Sequence, residues 1–106
     1  MVKITFIEAN GLEHVVDGRV GNSLMETAIH NSIRGLPAEC GGACSCATCH
    51  VYIDAQWASV VGEPGRVERD MLEMAIDPTA YSRLACQVIV RADHDGLVAR
   101  IPANQV

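Results

Sequence analysis

The sequence predicts an α+β fold, in which helices pack on a mixed sheet. Three observations lead to this class: two β-like runs at the start of the chain, a helix with clear start signals after them, and further apolar runs beyond a glycine-rich loop. Strands, helices and further strands in this order are typical of α+β domains. A chain of 106 residues is long enough for one core, so we expect a single domain over residues 1–106.

The first two strands are expected to form a hairpin. Residues 3–8 alternate between apolar and polar side chains, and residues 12–16 form a second β-like run. Between the runs, Asn10 and Gly11 both tolerate a positive φ, as a two-residue hairpin loop requires. The pattern therefore predicts two antiparallel strands joined by a two-residue turn.

A helix over residues 24–33 is expected to follow the hairpin. Ser23 and Glu26 have the spacing of a capping box, in which each side chain accepts a hydrogen bond from the backbone N–H of the other residue. The apolar stripe expected to face the core consists of Leu24, Ala28 and Ile29.

The remainder of the chain contains a long loop, three strands and a second helix. The loop is predicted over residues 34–49, the helix over 66–75, and the strands over 50–53, 87–91 and 97–101. A loop of this length in so small a domain is usually functional. The residues of the second helix that are expected to point inward are Val67, Met71 and Leu72.

Charge and hydropathy exclude several classes of partner. The net charge is -5, and an acidic protein repels phosphate backbones, so nucleic acid is not expected as a partner. The N-terminus lacks the long apolar segment of a signal peptide, and no apolar run is long enough to span a membrane. We therefore expect a cytoplasmic protein, in which stable disulfides are rare.

Four cysteines lie close together in the loop, and a fifth lies far away. Cys40, Cys46 and Cys49 are spaced C-x5-C-x2-C, and Cys86 follows much later. A zinc site more often uses two C-x2-C pairs, a thioredoxin-like pair would leave three cysteines without a role, and a Rieske centre needs two suitably placed histidines. Cys44 lies inside the first gap and is interpreted as a small packed residue, or else as a substitute ligand or an oxidation-sensitive thiol.

A 2Fe-2S cluster accounts for more of this stretch than the other centres do. It needs four thiolates and a loop whose backbone comes close to the cluster. Gly41 and Gly42 permit positive φ, so that successive N–H groups can point at the sulfurs. The other small residues of the loop, Ala43, Ser45, Ala47 and Thr48, fit the same requirement.

Three stretches, "CGGACSCATCHVY", "SRLACQVIV" and "DGLVARIP", resemble the adrenodoxin/putidaredoxin-type 2Fe-2S ferredoxins, and the likeness covers essentially the whole chain. The resemblance implies a β-grasp fold and one 2Fe-2S cluster. It implies that Cys40 and Cys46 bind one iron and that Cys49 and Cys86 bind the other. It also implies that His50 has a structural role and ties the cluster loop to the rest of the fold.

The sequence contains no recognisable catalytic motif, so no catalytic residue is predicted and the protein is not expected to be an enzyme. The resemblance implies a bacterial, monomeric carrier of single electrons. It would take them from an NAD(P)H-dependent, FAD-containing ferredoxin reductase and deliver them to a cytochrome P-450 type monooxygenase. Two alternatives remain: a ferredoxin that serves iron–sulfur cluster assembly, and a zinc-stabilised binding module without a redox role.

Acidic residues of the second helix are candidates for partner docking. Asp70 and Glu73 are three residues apart and so are neighbours on one helical face. The segment "DMLEMA", which contains both, resembles the adrenodoxin-type segment whose acidic residues contact the partners. The further acidic candidates are Glu39 beside Cys40, Glu63, Glu68 and Asp77.

The alternative is that these acids form only a solvated helix surface. In that case Arg66 would partly neutralise Asp70, and Arg69 would partly neutralise Glu73, because each pair is four residues apart.

Overall fold

The computed structural model describes residues 1–33 and 49–103. In this part of the chain, five strands form one mixed sheet in the order β2-β1-β5-β3-β4, with the helices packed on it. The strands are β1 Val2–Ile7, β2 Glu13–Gly18, β3 His50–Ile53, β4 Ser82–Leu84 and β5 Leu97–Arg100, and the helices are α1 Leu24–His30, α2 Ala58–Val61 and α3 Arg66–Leu72. Short 3₁₀ turns cover Ala55–Trp57, Ala85–Gln87 and Ala92–His94. No helix of the described ranges is long and apolar enough to cross a membrane.

The hairpin is confirmed, but the predicted two-residue turn is wrong. The Glu8 N–H donates to the Leu12 carbonyl at 2.9 Å, and the Gly11 N–H donates to the Glu8 carbonyl at 2.8 Å. Three residues therefore form the loop, and of Asn10 and Gly11 only the glycine has a positive φ, at 90°. A tight turn followed by a glycine in the left-handed conformation is the usual form of a three-residue hairpin loop.

The sheet is mixed because β5 runs parallel to β1 and antiparallel to β3. β1 and β5 lie in the centre of the sheet, where Ile4, Phe6 and Leu97 are completely buried. The predictions for 50–53 and 97–101 are confirmed, the first with the same bounds and the second to within one residue. The α+β class is therefore confirmed.

Helix α1 starts as predicted and ends earlier than predicted. The Ser23 Oγ accepts from the Glu26 N–H at 3.0 Å, and the Glu26 Oε1 accepts from the Ser23 N–H at 3.0 Å, so the capping box is confirmed. The helix ends at His30 because Ser32 is left-handed, with φ of 56°, and the N–H groups of Ser32 and Ile33 turn back onto the helix. This is a Schellman end with serine at the position that glycine usually occupies.

One residue of the predicted α1 stripe is misplaced. Leu24 and Ala28 are buried, but Ile29 is half-exposed, and Met25 is buried with the other two. The core-facing side of α1 therefore includes Met25 instead of Ile29.

The predicted strand over 87–91 is wrong. This segment makes one isolated bridge, between Ser23 and Ile89, and the strand that pairs with β3 is Ser82–Leu84. The Leu24 N–H donates to the Val88 carbonyl at 2.9 Å, so the segment pairs with the short stretch before α1. That partner becomes helical at once, which leaves no room for a longer ladder.

Helix α3 is shorter than predicted, and the inward position of Val67 is wrong. The helix ends at Leu72, where Leu72 itself is buried as expected and Met71 is partly buried. Val67 is 68% exposed, whereas Glu68 is 5% exposed. A carboxylate thus takes a core position that the apolar pattern assigns to valine.

Candidate metal centre

Two of the predicted ligand cysteines lie at the same end of the β3–β4 ladder. His50 pairs with Leu84 in the antiparallel register, and one step further the Ala85 N–H donates to the Cys49 carbonyl at 2.8 Å. Cys49 and Cys86 are both buried. The fold therefore brings together two thiol residues that are far apart in sequence.

The backbone around Cys86 is held on both sides. The bond from Ala85 to Cys49 fixes one end of the 3₁₀ turn Ala85–Gln87, and the bond from Leu24 to Val88 fixes the other. Within this turn, the Gln87 Nε2 lies 3.4 Å from the Cys86 Sγ, at hydrogen-bonding distance for sulfur.

His50 is completely buried and directly follows Cys49 in the chain. Its Nε2 lies 2.7 Å from the Ser82 Oγ, and that hydroxyl also accepts from the Thr79 N–H at 2.7 Å. Burial holds the pKa of His50 below its usual value, and the carboxylate of Asp77 opposes this only in part. The ring thus links β3 to the turn before β4, and its support of the cluster loop stays a prediction.

Glu68 fixes α3 to the strand that leads to Cys86. Its two oxygens accept from the Arg83 Nε and Nη2 at 2.6 and 2.9 Å, and Oε2 also accepts from the Leu84 N–H at 2.8 Å. Arg83 in turn donates to the Gly62 carbonyl at 3.0 Å. The prediction that Glu68 is a docking residue is therefore corrected, because a carboxylate enclosed in this network is not available to a partner.

The outer side of α3 is open to solvent. Asp70 and Glu73 are exposed, and Val67 and Met74 on the same side are 68% and 73% exposed. Among the described residues, the expected pairs of Arg66 with Asp70 and of Arg69 with Glu73 do not form. Arg69 instead lies 3.3 Å from the Glu63 carboxylate and donates to the Pro64 carbonyl at 3.0 Å.

A groove of about 650 Å³ lies between α3, the end of α2 and the turn before β4, and of the outer residues named above only Glu73 lines it. Leu72 and Ile53 contribute to its apolar lining, and Glu63 and Glu73 contribute carboxylates. The surface next to α3 thus combines apolar area with negative charge.

The other predicted site residues lie outside the described residues. They are Glu39, Cys40, Gly41, Gly42, Cys44 and Cys46. In the described ranges no three His, Cys, Asp or Glu side chains come together to hold a metal ion. The predicted ligand set of Cys40, Cys46, Cys49 and Cys86 thus lies only in part within the described residues.

The donor chemistry fits an iron–sulfur cluster. Two buried cysteines, which form no disulfide with each other and are held by backbone bonds, can supply soft thiolate ligands. The carboxylate of Glu68, which bonds to the strand leading to Cys86, is engaged with Arg83. The residues present thus favour sulfur ligation.

Two residues that support this site were not singled out from the sequence. Arg83 is a lone charge in the stretch "SRLACQ", and a charge in so apolar a run is the signal that could have revealed a buried ion pair. Gln87 gives no such signal, because its contact with Cys86 depends on the 3₁₀ turn rather than on a recognisable pattern.

Comparison with known proteins gives a consistent result. The family described as 2Fe-2S iron-sulfur cluster binding domain matches residues 7–91. The chain is 44% identical over 103 residues to terpredoxin of Pseudomonas sp, covering 96% of this chain and 97% of that protein.

The solved structures agree with this match. A crystal structure of a ferredoxin from Rhodopseudomonas palustris HaA2 superposes with a TM-score of 0.95 and is 41% identical, covering 98% of this chain and 99% of that one. Putidaredoxin in its covalent complex with putidaredoxin reductase superposes with a TM-score of 0.88 at 36% identity, covering 94% of this chain and 97% of that one.

Proposed function

Because the chain belongs to the 2Fe-2S iron-sulfur cluster binding domain family, with putidaredoxin-type ferredoxins among its relatives, we propose that it shuttles single electrons between two proteins. The donor is an NAD(P)H-dependent, FAD-containing ferredoxin reductase, and the acceptor is a cytochrome P-450 type monooxygenase. The likeness to a putidaredoxin that is linked covalently to its reductase is the observation that carries this proposal.

Four cysteines would hold the cluster, as predicted. Cys49 and Cys86 come from the described part of the chain, and Cys40 and Cys46 complete the set. When bound, a 2Fe-2S cluster takes up one electron and releases it again. With four thiolates the ligand set is full, so the chain provides no open position for substrate and acts as a carrier rather than an enzyme.

The contribution of the chain itself is to hold the ligands and to exclude water. Cys49 and Cys86 are buried, and backbone bonds fix the turn that carries Cys86. The Glu68–Arg83 network links this turn to α3, so a partner that contacts α3 touches an element fixed to the cluster site.

Docking is assigned to the outer side of α3, with Asp70 and Glu73 as steering charges and Glu39 beside the cluster loop as a further contact. Charge steering suits a carrier that must bind briefly and leave. The protein is proposed to act in the cytoplasm as a monomeric single domain.

Replacement of the ligands tests the proposed centre. Ser in place of Cys40, Cys46, Cys49 or Cys86 should abolish or grossly alter the visible spectrum of the purified protein. Cys44→Ser is the matched control from the same loop and should leave the spectrum intact. Loss of visible absorption in the Cys44 variant under anaerobic purification would contradict this ligand assignment.

Metal content separates the proposal from a zinc-binding module. A 2Fe-2S protein is red-brown and bleaches when reduced, whereas a zinc protein is colourless. Iron and sulfide in equal amounts, together with reduction by a ferredoxin reductase and NAD(P)H, are the expected results. Zinc without colour would exclude electron transfer.

Loss of the cluster should also lower stability. Metal binding and folding are coupled when the ligands come from distant parts of a chain, as Cys49 and Cys86 do. The melting midpoint of the apo form should lie below that of the cluster-loaded form. Equal midpoints would show that the core holds this end of the sheet together without the cluster.

A further inference from the structure

We infer that Gln87 tunes the reduction potential by donating a side-chain hydrogen bond to the Sγ of Cys86. This inference rests on the proposed function, because it assumes that Cys86 is a cluster ligand. The contact joins the amide Nε2 of Gln87 to Cys86 Sγ over 3.4 Å. A thiolate only accepts hydrogen bonds, so the amide nitrogen is the group that must face it.

Backbone hydrogen bonds hold the segment that carries the amide of Gln87. The segment that carries it is bonded to Cys49 on one side of the 3₁₀ turn and to Leu24 on the other. α1 packs against this same turn. These backbone hydrogen bonds hold the segment in place although it forms no strand of the sheet.

The amide has no competing protein partner within the described ranges. Its contact with Cys86 is the only hydrogen bond found there for Gln87, whose side chain is exposed whereas Cys86 is buried. An exposed side chain thus supplies a hydrogen-bond donor to a buried sulfur.

The direction of the effect follows from charge. One added electron makes the ligand sulfurs more negative, and an N–H donor is attracted more strongly to a more negative sulfur. The hydrogen bond therefore favours the reduced form and raises the potential. No proton is transferred: the amide keeps its hydrogen, one electron enters from the reductase, and the same electron leaves to the acceptor.

Two substitutions separate the hydrogen bond from the bulk and polarity of the side chain. Gln87→Met keeps the length of the side chain and removes the donor, and Gln87→Asn keeps the amide but shortens it by one methylene, so that it no longer reaches Cys86. Gln56→Met is the matched control. Gln56 is exposed in the turn after β3, at the opposite end of that strand from Cys49.

The measurement is a spectroscopic redox titration of the cluster-loaded proteins. Both changes at position 87 should shift the ratio of reduced to oxidised protein at a fixed potential by up to about tenfold, which is a lowering of up to about 59 mV for one electron. Gln56→Met should not move it. Resonance Raman bands of the Fe–S stretches should shift in the two position-87 variants and stay constant in the control.

Each outcome decides the inference. An unchanged or raised potential in Gln87→Met, a wild-type potential in Gln87→Asn, or an equal shift in the Gln56 control would overturn it. These results would leave the proposed function intact, provided that the wild type shows a 2Fe-2S spectrum and accepts electrons from a reductase. A wild type without that spectrum would instead remove the proposed function.

Discussion

The two sides of α3 carry carboxylates in opposite environments. On the inner side, Glu68 is 5% exposed and bonds to Arg83 and to the Leu84 backbone. On the outer side, Asp70 and Glu73 are exposed, and none of the described residues forms an ion pair with either one. A buried carboxylate must be paired to be tolerated, whereas an exposed one contributes little to stability and is available to steer a partner, as proposed above. Position on the helix, rather than residue type, decides whether each acid is paired.

The largest expected effect is the loss of the inner carboxylate. Glu68→Ala leaves the buried Arg83 without its counter-ion, and breaking such a pair costs about 3–5 kcal/mol. The free energy of unfolding of the cluster-loaded protein, measured by denaturant titration, should fall by about that amount. Asp70→Ala on the same helix is the control, and its effect should stay within about 0.5 kcal/mol.

A double substitution sharpens this result. Glu68→Leu with Arg83→Met removes both charges, so part of the lost stability should return. If Glu68→Ala and Asp70→Ala destabilise the protein equally, the two sides of α3 do not differ as the structure indicates.

The outer carboxylates should affect association and leave stability unchanged. Reversal of Asp70 and Glu73 to Lys is expected to slow association with the reductase about tenfold at low salt, near the lower end of steering effects. Charges exposed to solvent are screened beyond about 10 Å at 0.1 M salt, so the wild type should slow as salt rises and the variant should depend on salt less. Stopped-flow reduction by the reductase measures both rates.

The control for net charge lies at the far edge of the sheet. Glu13→Lys with Asp17→Lys changes the net charge by the same amount on β2, whereas α3 lies against β4 at the opposite edge. An equal slowing in both double variants would mean that overall charge, and not the α3 surface, guides the reductase. Glu39→Lys then tests the contact beside the cluster loop.

The smallest effect is expected at His94, where the pH dependence of stability tests how burial changes the pKa of a titratable side chain. His94 is almost completely buried, and its Nδ1 accepts from the Arg91 N–H at 3.1 Å. Burial, together with the positive charge of Arg91, holds the pKa of His94 below its usual value, although Asp93 acts in the opposite direction. The unfolded chain therefore takes up the proton more readily than the folded protein does.

The sign of the pH dependence follows from that difference. The stabilising contribution of neutral His94 is complete above the unfolded pKa of about 6.5 and decreases as the pH falls below it. His94→Asn keeps a hydrogen-bond acceptor but cannot titrate, so its melting midpoint should fall less than that of the wild type between about pH 8 and about pH 5.5. The exposed His30→Asn control should follow the wild type, and a His94 variant that does the same would contradict the prediction.

Local signals predicted part of the fold well. The capping box of Ser23 and Glu26 was predictable because both partners lie within one helical turn. The strand at 50–53 was predictable because a short apolar run after a loop needs no distant information. The end of α1 was not, because a serine at position 32 adopts the left-handed conformation that normally signals itself through glycine.

In the candidate site too, local signals predicted some features and missed others. The cysteine spacing and the resemblance predicted the 2Fe-2S cluster and proposed four cysteines to hold it, because residue type and spacing are enough to indicate ligand chemistry. The tertiary structure decided that Glu68 faces inward, that 82–84 rather than 87–91 forms a strand of the sheet, and that Gln87 reaches Cys86. Each of these depends on a partner at least fifteen residues away or on a turn fixed by such partners, and the local pattern does not identify a distant partner.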